Sequence, residues 1–263
     1  MNEHANTQAA RALWQHWQQG TVLTALDPSC RPADRAQGYA VQAQLARLSG
    51  EPVVGWKIAA TSIAGQRHIG VDGPLAGRLL RARVLDGGAT VPFAGNRMSV
   101  AEFEFGFRMA HALGPREAPY TVDEVIDAVD TMHLTIEIPD SRYEDFVHAG
   151  APQLIADCAC ACWLVAGPAV EADWRRVDLS RQEVLARVNG EVAARGSGAN
   201  VLGDPRVALA WIANELRVHA GGLRAGDLIT TGTCVTPVPV SPGDRLESDA
   251  GDFGVLKARL GGN

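Results

Sequence analysis

Val100–Phe107, VAEFEFGF, sets two glutamates, Glu102 and Glu104, at alternate positions among apolar neighbours. The alternation predicts an extended strand, in which successive side chains point to opposite faces. Phe103 and Phe105 then turn towards a packed layer, and Glu102 and Glu104 share the other face. Two carboxylates held side by side repel each other unless a proton or a cation lies between them. Oxygen-only ligands suit a hard cation such as Mg²⁺ or Mn²⁺ rather than zinc, which prefers His and Cys. The same pattern also reads as an amphipathic edge strand with two solvated glutamates, because E-x-E is a common spacing.

Two further stretches bear on that choice. Thr135–Arg142, TIEIPDSR, repeats the alternation, with Glu137 between Ile136 and Ile138, and offers a third carboxylate. Lys57 lies in VVGWKIAATS; among 24 Lys plus Arg, only Lys57 and Lys257 are lysines, so most surface cations are arginines. A lysine between Trp56 and Ile58 suits either a proton carrier of lowered pKa or a partner for a glutamate.

The chain has 263 residues and a mass of 27.9 kDa, enough to bury a full core. Its net charge of −6 and lack of a basic run offer no electrostatic footprint for nucleic acid or an acidic membrane surface. No apolar stretch approaches the ~20 residues of a membrane span. The opening MNEHANTQAA has no charged-then-apolar signal pattern, and a cytoplasmic protein is expected. Five cysteines, three of them in the run CACAC (Cys158, Cys160, Cys162), do not form a disulfide framework. On a strand those three thiols share a face, either as a soft-metal or redox group or as small buried hydrophobes; LIADCACACWLVAG reads as a buried strand of small residues.

Residues 7–48 predict two helices separated by DPSCRP, with Gly50 ending the second and Glu51–Ile58 forming a strand. Residues 74–92 alternate Gly/Pro turns with short apolar runs and suit β structure. Thr121 and Glu124 have capping-box spacing, and the apolar face that follows predicts a helix over Thr121–Met132. Ser141–Gly150 reads as a loop or short lid, with His148 as an exposed or site histidine. Asn189-Gly190 predicts a type I′ hairpin between Glu183–Val188 and Glu191–Ala194. Asp204-Pro205 opens a helix running to about His219, and Gly-Asp turns divide short C-terminal strands. No G-x-G-x-x-G strand–helix unit is present, which argues against a nucleotide-binding α/β fold.

The ordered set GWKIAATS, Val71–Gly77 (V-D-x-P-x-x-G), AEFEFGF, IEIPDSR, ADCACACWLVAG, the Asn-Gly hairpin, AGDLITTGT and PGDRLESDAGDFG resembles the 2-keto-4-pentenoate hydratase / 4-oxalocrotonate decarboxylase branch of the fumarylacetoacetate hydrolase superfamily. The resemblance covers nearly the whole chain. It implies an α+β fold, a mixed β-sandwich roll (residues 71–263) with a small helical N-terminal part (residues 1–70). It implies Mg²⁺ or Mn²⁺ held by Glu102, Glu104 and Glu137, with Lys57 beside the substrate or water, and Asp157 and Asp72 as further site members. The activity implied is addition of water to a 2-hydroxydienoate such as 2-hydroxypenta-2,4-dienoate, giving a 4-hydroxy-2-oxo acid. Decarboxylation or tautomerisation of a related 2-oxo acid, or a non-catalytic partner-subunit role, are the alternatives. The partners implied are a small 2-oxo acid and further copies of the chain, with room for association with another enzyme of the same pathway. The N-D-x-[ST]-x-R-D stretch of the superfamily's C–C hydrolases has no match. Where relatives commonly read D-N-A-S, this chain reads Asp157-Cys158-Ala159-Cys160.

Overall fold

The computed structural model describes residues 1–262. Two helices that pack on each other come first. α1 (Glu3–Gln19) starts where the Asn2 side chain accepts from the Ala5 amide and stops at Gly20 in the left-handed region. α2 (Arg35–Ser49) is capped by Asp34 and ended by Gly50 in the same way. Leu13, Trp17, Val41 and Leu45 form a small apolar core between them that extends to Leu79, Tyr143 and Leu228.

The remaining elements follow as β1 (Val53–Ala59), α3 (Ile63–His68), β2 (Leu75–Leu80), β3 (Val84–Asp86), β4 (Thr90–Val91) and β5 (Val100–Met109). Next come α4 (Val122–Asp127), β6 (Val129–Ile138), α5 (Ala151–Ala156), β7 (Trp163–Ala169), β8 (Glu183–Val188) and β9 (Glu191–Ser197). The chain closes with α6 (Pro205–His219), β10 (Leu228–Thr233), β11 (Val238–Pro239), β12 (Arg245–Asp249) and β13 (Val255–Leu260). The larger sheet runs β2-β1-β10-β5-β6-β7-β3, with β11 pairing the start of β5; the smaller runs β4-β13-β12-β8-β9. Parallel pairs β1–β10, β3–β7 and β4–β13 among antiparallel neighbours make both sheets mixed. Phe103, Phe105 and Phe107 are fully buried on one face of β5, and Phe105 meets Phe253 edge-on at 6.2 Å, joining the two sheets in one core.

The hairpin at Asn189-Gly190 has the two positive φ values, 54° and 93°, that such a turn requires. The Asp204-capped α6 also forms as its sequence indicates. Three expectations are corrected. The Thr121/Glu124 capping box forms, but its helix ends at Asp127, and Val129–Ile138 is a strand rather than the continuation of a helix to Met132. Pairing with β5 on one side and β7 on the other outweighs the local helical pattern. The CACAC run is not a strand: Cys158–Cys160 form a buried turn with φ of 51°, 50° and 63°. The sheet also does not begin after residue 70, since β1 lies inside it between β2 and β10.

Candidate active site

Glu102 and Glu137 sit directly opposite each other across β5 and β6, and Glu104 follows two residues along on the same face of β5. Carboxylate oxygens of all three lie within 4.8 Å of one another. Glu104 and Glu137 are each 1% exposed, whereas Glu102 is half-buried. Glu104 is oriented from β10, where the Thr230 hydroxyl donates to Oε2 and the Gly232 amide adds a bond at 2.8 Å. Thr230 is held in turn by Thr135 on β6 at 2.9 Å. Gly232 is required here: its φ is 99°, and a Cβ would lie 2.1 Å from the Thr61 hydroxyl.

Oε1 of Glu104 and both oxygens of Glu137 are buried without a well-formed hydrogen bond. The Lys57 ammonium stands 3.2 Å from Glu137 Oε1 and donates to the Ala159 carbonyl at 3.0 Å. One cation facing three carboxylates leaves the cluster net negative. Burial, then the charges of Glu137 and Glu102, push Glu104 well above the usual carboxylate range. Burial and Glu102 likewise raise Glu137 to about 7, against the opposing pull of Lys57. Burial alone would lower Lys57, but Glu137, Glu102 and Glu104 reverse the direction and hold it charged. Lys57 thus pairs with a glutamate, and its pKa is raised rather than lowered. Unmet carboxylate oxygens in an oxygen-only set fit a hard divalent cation.

Such a cation displaces protons from the raised glutamates. Metal affinity is therefore expected to weaken as pH falls through 7, by up to about tenfold per unit for each proton displaced. Calorimetry in buffers of different ionisation enthalpy would count the released protons, and affinity independent of pH between 5 and 8 would contradict the raised values. Thr230→Val should lower metal affinity by about 10–100-fold, as loss of a ligand's supporting partner does. Thr230→Ser should restore it, and equal affinity in the Val and Ser variants would remove Thr230 from the site.

The turn at Cys158–Cys160 presents the Ala159 carbonyl to Lys57. Three successive non-glycine residues in the left-handed region are costly and persist only where surroundings impose them. Arg142 does so: its buried guanidinium bonds to the Asp157 carboxylate and carbonyl, and to the Asp140 and Ala161 carbonyls at 2.8 Å each. Ser141 Oγ and the Arg142 amide complete the shell around Asp157 Oδ2 at 2.9 and 3.0 Å. From α1, the Trp17 ring covers the guanidinium at 4.1 Å. Across the turn, Gly77 lies so close that a Cβ would fall 1.8 Å from the Cys158 carbonyl oxygen. Asp157 is thus engaged in bracing the turn. Asp72 is exposed in the loop before β2 and has no ion-pair partner among the described residues. Burial pushes the Cys158 thiol to about 11 and Cys160 to about 12, so at neutral pH both are protonated hydrophobes rather than thiolate ligands.

A cleft of about 340 Å³ opens from Lys57, Glu102 and Cys160, with Met98, Val100 and Phe146 on its walls. α3 covers one side through Gly65 and His68, with Ile69 just beyond its end, and His68 meets Phe146 edge-on at 6.2 Å. His148 lies outside, exposed and paired with Asp145 at 2.8 Å. The sequence pattern offered no signal for His68, Phe146 or Arg142 as site residues, because long-range packing alone brings them there.

Three neighbouring glutamates, two of them buried with unmet oxygens, beside a charged lysine and an adjoining cleft, form a group that could hold a divalent cation. The model described as fumarylacetoacetate (FAA) hydrolase C-terminal matches residues 38–261, and the chain belongs to that family. It is 30% identical to 2-keto-4-pentenoate hydratase of Paraburkholderia xenovorans, over 100% of this chain and 97% of that protein. It is 32% identical to 4-oxalocrotonate decarboxylase of Pseudomonas putida over 86% and 85% of the two chains. Among solved structures it is similar to 4-oxalocrotonate decarboxylase from Pseudomonas putida G7 complexed with magnesium and adipate, with a TM-score of 0.88, 28% identity and 99% and 98% coverage. Among the described residues no helix is long and apolar enough to cross a membrane.

Proposed function

We propose that the chain is a Mg²⁺- or Mn²⁺-dependent hydratase that adds water to a 2-hydroxydienoate or its 2-oxo-enoate form, giving a 4-hydroxy-2-oxo acid. The observation that carries the reading is the Glu102/Glu104/Glu137 group, with unmet oxygens on Glu104 and Glu137, beside a cleft that Lys57 and Glu102 line. A divalent cation held by the three glutamates would supply Lewis-acid stabilisation of negative charge on the substrate's 2-oxygen. Lys57 supplies the proton. Its ammonium carries three, of which one goes to Ala159 and one faces Glu137, leaving the third for a substrate oxygen or carbon. Because the neighbouring carboxylates keep it charged, Lys57 acts first as the acid and recovers its proton later in the cycle. α3 and Phe146 restrict access of bulk water.

Beyond Lys57 the walls are mainly apolar, with Ile69, Met98, Val100 and Pro139, and they favour an apolar distal end on the substrate. Decarboxylation of a related 2-oxo acid is the second reading, supported by the near full-length likeness to a decarboxylase of known structure. Incubation with 2-hydroxypenta-2,4-dienoate, with Mg²⁺ or with EDTA, separates them by product mass. Metal-dependent gain of one water supports the hydratase. Unchanged dienoate, together with metal-dependent release of carbon dioxide from 4-oxalocrotonate, would replace it with the decarboxylase.

A further inference from the structure

On the reverse side of β1 lies a larger cavity, about 530 Å³, which the chemistry above does not use. Trp56 and Lys57 are consecutive on the strand, so their side chains leave on opposite faces: Lys57 towards the glutamates, Trp56 towards this cavity. Three arginines from three elements line it: Arg47 in the last turn of α2, Arg78 on β2 opposite Trp56, and Arg224 before β10. Their pairing is poor. Elsewhere in the chain, Arg35 and Arg116 meet carboxylates at 2.7 and 2.6 Å. The Arg47 guanidinium has no hydrogen-bond or ion-pair partner among the described residues. Arg78 lies over the Trp56 ring at 4.5 Å and has one neutral partner, Gln42 Oε1 at 2.8 Å. Arg224 donates to the Val53 carbonyl at 3.1 Å and forms a long ion pair with Asp227 at 3.6 Å. Glu51, the one carboxylate on the lining, forms no ion pair with any of them among the described residues.

We infer that this cavity is a binding site for a small polyanion, a di- or tricarboxylate or a phosphate, gripped by Arg47, Arg78 and Arg224 and separate from the glutamate centre. Arg78 is half-buried while Arg47 and Arg224 are exposed, so solvent screens part of their mutual repulsion and an anion seated among them relieves the rest. Burial, with smaller contributions from the Arg224 and Arg47 charges, holds Arg78 below its ordinary value. The chain as a whole carries −6, so a positive recess is a local feature and not a reflection of overall charge. Guanidinium forks from different directions suit two or more anionic oxygens at once, and carboxylate and phosphate share that geometry. The inference stands independently of the metal centre.

The test is thermal unfolding of the metal-free protein in EDTA, with millimolar citrate or inorganic phosphate against chloride at matched ionic strength. Either anion is expected to raise Tm by about 3 °C or more, and the larger response shows which of the two chemistries the site takes. The gain should vanish in Arg47→Gln/Arg224→Gln and remain in Glu102→Gln, which lies on β5 and lines no part of this cavity. Arg47→Gln alone, which removes no partnered group, should reduce it without changing Tm in chloride. A shift equal to that in chloride, or one undiminished in the double variant, would overturn the site.

Discussion

Lys57→Met is expected to lower turnover by about 10²–10⁴-fold, the range in which a positioned proton-transfer group acts, while leaving metal binding intact or tighter. Methionine matches the length of the lysine stem and remains compatible with a position that is 2% exposed. Removal of the ammonium withdraws a cation 3.2 Å from Glu137, so a divalent ion has less positive charge to oppose it. The split between the two readouts is the point: a variant that lost both would indicate a structural role, and one with the wild-type rate would take Lys57 out of the chemistry. Mn²⁺ titration and single-turnover rates on the same sample provide the comparison.

Arg142→Met is expected to be the most destabilising of the substitutions considered, by about 3–5 kcal/mol, because it leaves the Asp157 carboxylate buried without its partner. Arg142 and Asp157 are 3% and 0% exposed, and four acceptors on either side of the left-handed turn lose their donor together. For a chain of this size the loss corresponds to a fall in Tm of more than ~6 °C. Arg142→Met combined with Asp157→Leu should recover part of it, since the uncompensated charge is gone. Surviving protein should show a lower kcat with metal affinity little changed, because the Ala159 carbonyl, not a glutamate, is what the turn presents to Lys57. Chemical denaturation of the three proteins measures the effect, and a double variant no more stable than the single would show that the pair is not the brace.

What the sequence could show depended on whether the signal was local. The alternation in VAEFEFGF and TIEIPDSR set β5 and β6 and put Glu102, Glu104 and Glu137 on one face, because strand periodicity is a property of a few consecutive residues. Gly50 at the end of α2, the Asp204 cap of α6 and the Asn-Gly hairpin were legible for the same reason. CACAC misled because Cys and Ala carry no mark of the left-handed region; the turn exists only because Arg142, anchored to Asp157 and covered by Trp17, holds it. The end of α4 was hidden likewise, since the capping box marks a start and only pairing with β5 and β7 stops the helix. Asp72 and Asp157 were singled out through motif position; one lies at the surface and the other inside a brace, a distinction that burial makes and spacing cannot.

The central claim is that Glu102, Glu104 and Glu137 form one divalent-metal centre. The direct measurement is a Mn²⁺ titration followed by electron paramagnetic resonance on the wild type and on Glu102→Gln. Glu102 is chosen because it is half-buried and the least entangled in the core. One ion per chain in the wild type is predicted, with affinity in the variant lowered by more than the ~10–100-fold that loss of a supporting partner costs and with the far-ultraviolet circular dichroism unchanged. Equal, stoichiometric Mn²⁺ binding by both proteins would contradict the assignment.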